Sequence, residues 1–178
     1  LWARQAVIES LDVPRLEPAP NEAPYRLETG TQNHEGIVGA GTAVEFLASL
    51  AEGPDRRSRL DRLYGVLHER SQALFERLWA GLGDVPGVTR YGPSPEAART
   101  PTLSFAVEGM DAEAVARGLA GRGVFVSHGD FYAATVARRL GRAESGLVRA
   151  GCACYTTPAE IDRLVEGVAA LAGRGGQG

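Results

Sequence analysis

An arginine inside an apolar strand must find an anion. Arg149 stands in "GLVRAGCACY" (146–155), between leucine, valine and alanine. The planar guanidinium fork suits a bidentate carboxylate best. That carboxylate is either an acid of the same chain or part of a ligand. A second cluster is "VSHGDFYA" (126–133), where His128, Asp130 and Tyr132 surround Gly129 in a loop after a strand. A histidine with an aspartate nearby serves proton transfer or a purely structural hydrogen bond. The third is "YRLETGTQNHEGI" (25–37), with Gly30-Thr31 just ahead of a helix. Free amides at a helix N-terminus, with a hydroxyl beside them, can converge on one anion. The alternative is that Thr29 or Thr31 merely caps the helix.

Other chemistries find little support. Cys152 and Cys154 supply at most two metal ligands, and His34, His68 and His128 lack zinc-type spacing. No metal site is expected. There is no P-loop, no dinucleotide fingerprint and no arguable Ser/His/Asp triad. An i, i+2 cysteine pair on a strand is badly placed for a disulfide, which favours a reducing, cytoplasmic setting. All nineteen basic residues of the Lys+Arg class are arginine. Chemistry that needs a lysine amine must therefore draw it from outside this sequence.

The elements that position these groups follow from periodicity. A short helix is expected over 3–11, then a proline-rich extended connector over 13–24. A helix over 35–52 should end at Gly53-Pro54. The longest helix, 55–82, carries Leu60, Leu63, Tyr64, Leu67, Leu74, Leu78, Trp79 and Leu82 on one face. Strands are expected at 88–92, 102–109, 124–127 and 146–155. Asp111 should cap a helix over 112–121, and a short helix is expected over 133–141. Thr157, Pro158 and Glu160 spell a capping box for a final helix with a stripe of Ile161, Leu164, Val165, Val168 and Leu171. On a regular 146–155 strand both cysteines would face away from Arg149 and behave as buried core residues.

The 178 residues have 44% hydrophobic and 23% charged content and a formal charge of −3. These values describe an ordinary globular chain and give no reason to expect nucleic acid or an anionic membrane as partner. No apolar run is long enough to span a bilayer. Leu1 is not Met and no signal peptide is legible, so the chain is expected to begin in mid-protein. Residues 84–173 read as a compact α/β unit, strands in one layer and helices over it. Residues 1–52 read as the rim of a second domain, 53–83 as a connecting helix and 174–178 as a flexible tail.

In order and separation, "RLETGTQNHEGI", the long helix, "TPTLSFAV", "GVFVSHGDFYA" and "GLVRAGCACYTTPAEIDRLVEGVAAL" together resemble the C-terminal part of class V aminotransferases, cysteine desulfurase-like subgroup. The resemblance covers roughly residues 1–172. It implies the aspartate aminotransferase fold, with a mostly antiparallel sheet in the small domain and a homodimeric assembly. It also implies a pyridoxal 5'-phosphate cofactor and an amino-acid substrate. Gly30 and Thr31 would hold the cofactor phosphate across the dimer interface. Arg149 would bind the substrate carboxylate, with His128 and Tyr132 near it. The Schiff-base lysine would lie upstream of Leu1, leaving this chain inactive alone. Tyr132 stands where desulfurases carry their nucleophilic cysteine, which places sulfur transfer in doubt. Transamination, racemisation, elimination or decarboxylation remain. A non-enzymatic ligand-binding or regulatory α/β module is the competing class.

Overall fold

A computed structural model of the chain describes residues 2–28 and 30–175. It divides into two compact units, Leu1–Leu60 and Asp61–Gly178. In the first, α1 (Gln5–Ser10) is followed by turns, a single 3₁₀ turn at Tyr25–Leu27, and α2 (His34–Ser49). Arg26 ties the turn to α1, donating to the carbonyls of Glu9 (2.9 Å) and Leu11 (3.0 Å). The α2 helix stops at Ser49, short of the Gly53-Pro54 expected to end it. Leu50 keeps a helical backbone as the C-cap and its N–H turns back to the Leu47 carbonyl. Ala48 alone among this unit's described residues is a buried hydrophobe, while Ile37, Val38 and Phe46 are exposed.

The longest helix, α3 (Arg56–Gly83), begins in the first unit and supplies one wall of the second unit's core. The expected face is buried at Leu63, Leu74, Leu78 and Leu82, with Phe75 added, but Tyr64 is exposed. Strands β1 (Val88–Tyr91), β2 (Thr102–Val107), β3 (Ser127–Gly129) and β4 (Leu147–Gly151) form one antiparallel sheet of order β1-β2-β4-β3. Leu103, Phe105 and Val107 alternate into the core, and their register partners Ala150 and Val148 share that face.

Helices α4 (Ala112–Ala120) and α6 (Pro158–Gly175) complete the core with Val115, Leu119, Ile161, Leu164, Val168 and Leu171. They pack closely because each presents a glycine to the other's leucine. A Cβ on Gly118 would lie 2.7 Å from Leu171, and one on Gly167 2.7 Å from Leu119. The short α5 (Ala134–Arg139) anchors through buried Ala137.

The capping box of α6 forms as expected. The Thr157 amide and hydroxyl donate to Glu160 Oε2 (2.7 and 2.9 Å), and the Glu160 amide donates back to Thr157 Oγ1 (3.3 Å). A bidentate pair joins α3 to α6: Arg77 to Asp162, both contacts 2.6 Å. Asp111, by contrast, makes no side-chain cap bond to α4. The strand expected over 124–127 begins only at Ser127, and the one expected over 146–155 spans only Leu147–Gly151. The Cys152 amide still donates to the Pro101 carbonyl opposite it (2.9 Å), but Pro101 has no N–H to return and the ladder ends there. Of the tail, residues 176–178 lie outside the described residues, as does Leu1.

Gly167→Ala is expected to lower thermal stability. Helix propensity gains about 1 kcal/mol, but forcing a methyl into fully buried Leu119 costs about 1–3 kcal/mol. A thermal melt decides, and a rise in Tm would mean that the α4–α6 contact is slack.

A pH effect follows from Glu160 and Asp162. Hydrogen bonds from Thr157 and from Arg77 hold these carboxyls below their ordinary range. With folded-state pKa values depressed, their stabilisation is complete above the unfolded values, near about 4. It is lost as pH falls through the lower folded values. The double variant Glu160→Gln, Asp162→Asn should lose less Tm than wild type on acidification to about pH 3. Equal losses would show that neither carboxylate is linked to folding.

Candidate cofactor and substrate site

Burying Val148 and Ala150 on one face turns Arg149 to the other. The register builds a cross-strand row there: Tyr91 opposite Ser104, Ser104 opposite Arg149, Arg149 opposite Ser127. Tyr91 is already engaged, its hydroxyl accepting from Arg142 Nε (3.0 Å). Arg149 is exposed and has no ion pair among the described residues. The internal salt bridge that could have satisfied it is therefore not made. Its one recorded companion is the ring of Phe131, with the centroid 4.2 Å from Arg149 Cζ.

Phe131 reaches that position from an unusual turn. Gly129 has φ 124°, and Phe131 and Tyr132 follow at φ 55° and 60°. Asp130 fixes the turn: its Oδ1 accepts from the Tyr132 amide (3.0 Å) and its carbonyl from the Ala133 amide (2.8 Å). Two successive left-handed non-glycine residues cost about 1–2 kcal/mol each. An exposed cation–π contact returns only about 0.5–1 kcal/mol. The two Asp130 hydrogen bonds, at about 0.5–1.5 kcal/mol or more each, bring the turn to near balance and not to a clear gain.

Past the Ser127–Arg149 pair the chain ahead of the edge strand β3 parts from β4. A cavity of about 370 Å3 opens there, lined by Phe125, Val126, Ser127, Arg149, Ala150, Gly151 and Leu164. Tyr132, fully exposed, projects away from this packing. His128 pairs with Val148, which puts it on the sheet face opposite Arg149.

Of the two cysteines, Cys152 packs against the core as expected, and Cys154 departs from expectation because β4 ends before it. Cys152 is half-buried against the core, and burial pushes its thiol pKa up. Cys154 is exposed rather than a core residue, since the chain has turned outward. Arg70 holds that turn, donating to the carbonyls of Cys154 (2.9 Å) and Thr156 (2.8 Å). Cys154 lines a separate cavity of about 470 Å3 with Tyr64, His68, Phe75 and Arg99. Arg99 stacks there on Phe75 at 4.0 Å, a contact between distant segments that no local pattern announces.

In the first unit the α2 cap is Asn33, whose Oδ1 accepts from the Gly36 amide at 2.7 Å. Thr31 does not serve as cap, and Thr29 lies outside the described residues. Gly30 and Thr31 are exposed immediately ahead of a 16-residue helix, with open space where a Gly30 Cβ would stand. The amides and hydroxyl of this turn are a donor set suited to a phosphate.

The Aminotransferase class-V family model matches residues 9–164. The chain belongs to the class V aminotransferase family. A cysteine desulfurase of Salmonella agona is 32% identical over 147 residues, 83% of this chain and 32% of the relative. Among solved structures, the cysteine desulfurase of Thermococcus onnurineus NA1 superposes with TM-score 0.70 at 25% identity, over 86% of this chain and 34% of that one. The cysteine desulfurase CsdA of Escherichia coli, an S-sulfonic acid form, gives 0.65 at 26%, over 83% and 32%. The class V chain thus spans about a third of the length of these relatives. The α/β architecture and antiparallel sheet expected from sequence agree with that fold.

The class V chain's two thiols should differ in reactivity. Exposed Cys154 is expected to be alkylated by iodoacetamide well before half-buried Cys152 with its raised pKa. Peptide mass mapping over time gives the order, and simultaneous labelling would mean that Cys152 is not packed as described.

Proposed function

We propose that this chain is the C-terminal part of a pyridoxal 5'-phosphate-dependent enzyme acting on an amino acid, in which Arg149 binds the substrate α-carboxylate. The observation that carries the reading is Arg149 itself: an exposed guanidinium between buried strand residues, without an ion pair among the described residues. Its fork can give two parallel hydrogen bonds to a carboxylate, which orients a substrate as well as holding it. Family membership supports the cofactor assignment.

The residues present fit that cofactor's phosphate end. Gly30 and Thr31 offer amides and a hydroxyl at a helix start that Asn33 already caps. In the proposed homodimer they serve the partner's site. When bound, the cofactor supplies an electron sink for the substrate's α-carbon. Its anchoring amine comes from outside this sequence, which contains no lysine, so the chain by itself is inactive. Residues 1–52 belong to the large cofactor-binding domain, 53–83 to a connecting helix, 84–173 to the small domain and 174–178 to a tail. The proposed setting is cytoplasmic, consistent with both cysteines being free. No described helix is long and apolar enough to cross a membrane.

Tyr132 stands at the position where the resemblance puts the desulfurase nucleophile. A phenol there forms no persulfide, so the proposed reaction is one of carbon or amine chemistry rather than sulfur transfer. Tyr132 remains near the substrate in this reading. His128 carries no step, since the register directs it to the other face.

In the full-length protein, Arg149→Lys should reduce kcat/KM by an amount equivalent to about 1.5–3 kcal/mol. The visible absorption of the bound cofactor should persist. Unchanged kinetics with reduced stability would make Arg149 structural. A full-length protein that binds no pyridoxal phosphate would favour a non-enzymatic module instead.

A further inference from the structure

We propose that Phe131 is a positioning residue for Arg149: its ring fixes the guanidinium plane so that the free edge of the fork is presented to a carboxylate. The proposal rests on the carboxylate reading of Arg149 given above. Arg149 Cζ sits over the face of the ring, 4.2 Å from its centroid. Facial contact leaves the in-plane N–H groups available, and these are the donors a carboxylate needs. The flanking register partners are the small residues Ser104 and Ser127, so neither competes as a large neighbour.

An arginine on an open strand samples many rotamers, and each carboxylate it binds must first order it. A ring delivered by a rigid turn removes part of that cost before the ligand arrives. The turn is rigid for identifiable reasons: left-handed backbone at Phe131 and Tyr132, and the Asp130 hydrogen bonds that close it. The same turn separates its two aromatics. Phe131 is half-buried on Arg149, while Tyr132 is fully exposed. A turn held near balance by its own hydrogen bonds delivers this ring to Arg149 at little net cost.

The rival account of the same geometry is obstruction, in which the ring occupies the ligand's place. The two accounts predict opposite signs. The test uses the full-length holoprotein and two pairs of probes: L-alanine against ethylamine, and L-cysteine against cysteamine. Binding is followed by the change in the cofactor's visible absorption, and the ratio of affinities within each pair reports the carboxylate preference. Phe131→Leu is expected to lower that preference about threefold to tenfold, with amine affinity unchanged, and Phe131→Trp to retain it. Independently of the cofactor, the Arg149 Nε–H resonance should be ring-shifted in wild type and Phe131→Trp but not in Phe131→Leu. Should Phe131→Leu fail to fold, Asp130→Ala, which releases the turn, should give the same loss.

An unchanged preference in Phe131→Leu, alongside its loss in Arg149→Lys, overturns the positioning role alone. A preference that rises in Phe131→Leu makes the ring an obstruction and also overturns it. A wild type that treats acid and amine alike, or an Arg149→Lys that keeps the preference, overturns the carboxylate reading and the positioning role with it.

Discussion

Everything proposed for the site depends on the pairing of β2 with β4. Phe105 opposite Val148 and Leu103 opposite Ala150 commit one face of both strands to the core. A strand of period two then has no choice about Arg149: it must stand on the other face, beside Ser104. A slip of one residue would bury the guanidinium and expose Val148, which the fully buried Phe105 and Val168 forbid. Desolvating an unpaired charge is far more costly than any local preference could offset. The three helices that cover the core face act on the site through this register, and α6 also lines the cavity beside Arg149 with Leu164. The Gly118–Leu171 and Gly167–Leu119 approaches let α4 and α6 lie close enough to close that face.

The second constraint is the brevity of β3. It pairs for three residues, and Gly129 then turns the chain with φ 124°. On the other side of the pairing, residues 124–126 separate from β4, which opens the cavity beside Arg149. A longer, regular β3 would have closed that cavity and carried Phe131 away from the guanidinium. The edge of the sheet is thus irregular on both sides of Arg149, which has no ion pair among the described residues.

Where a pattern repeats, the sequence was legible: α3, β2 and α6 follow from apolar spacing, and the Thr157–Glu160 box from a motif whose partners lie three residues apart. Arg149 stood out for the same reason, as a charge that breaks an apolar run. The failures share a different cause. Val124-Phe125-Val126 has strand-forming residues, yet the chain parts from β4 before Ser127, although Ala150 and Gly151 would stand opposite Val126 and Phe125 in register. The Cys154 exposure depends on where β4 stops, and it stops opposite Pro101, which accepts from the Cys152 amide but has no N–H to return. The Phe131–Arg149 stack needs a left-handed turn built from phenylalanine and tyrosine, residues whose types do not announce it. Asn33 outcompeted the threonines as cap because its amide oxygen reaches the Gly36 amide at 2.7 Å.

The location of the thiols bears on the class of reaction. A sulfur-transfer nucleophile must reach the substrate whose carboxylate Arg149 is proposed to hold, and it must ionise readily. Cys152 is pushed the wrong way by burial. Cys154 is accessible, but the cavity it lines shares no residue with the one beside Arg149, and its turn is held by Arg70 from α3. Tyr132 occupies an exposed, left-handed position that presents a side chain outward whatever its type. By the resemblance, a desulfurase carries its nucleophilic thiol at this place. Under the proposed function, a phenol there leaves the chain to hold a carboxylate while the cofactor acts on the α-carbon. On the proposed reading, the turn that presents Tyr132 outward is also the one that sets the Phe131 ring over Arg149.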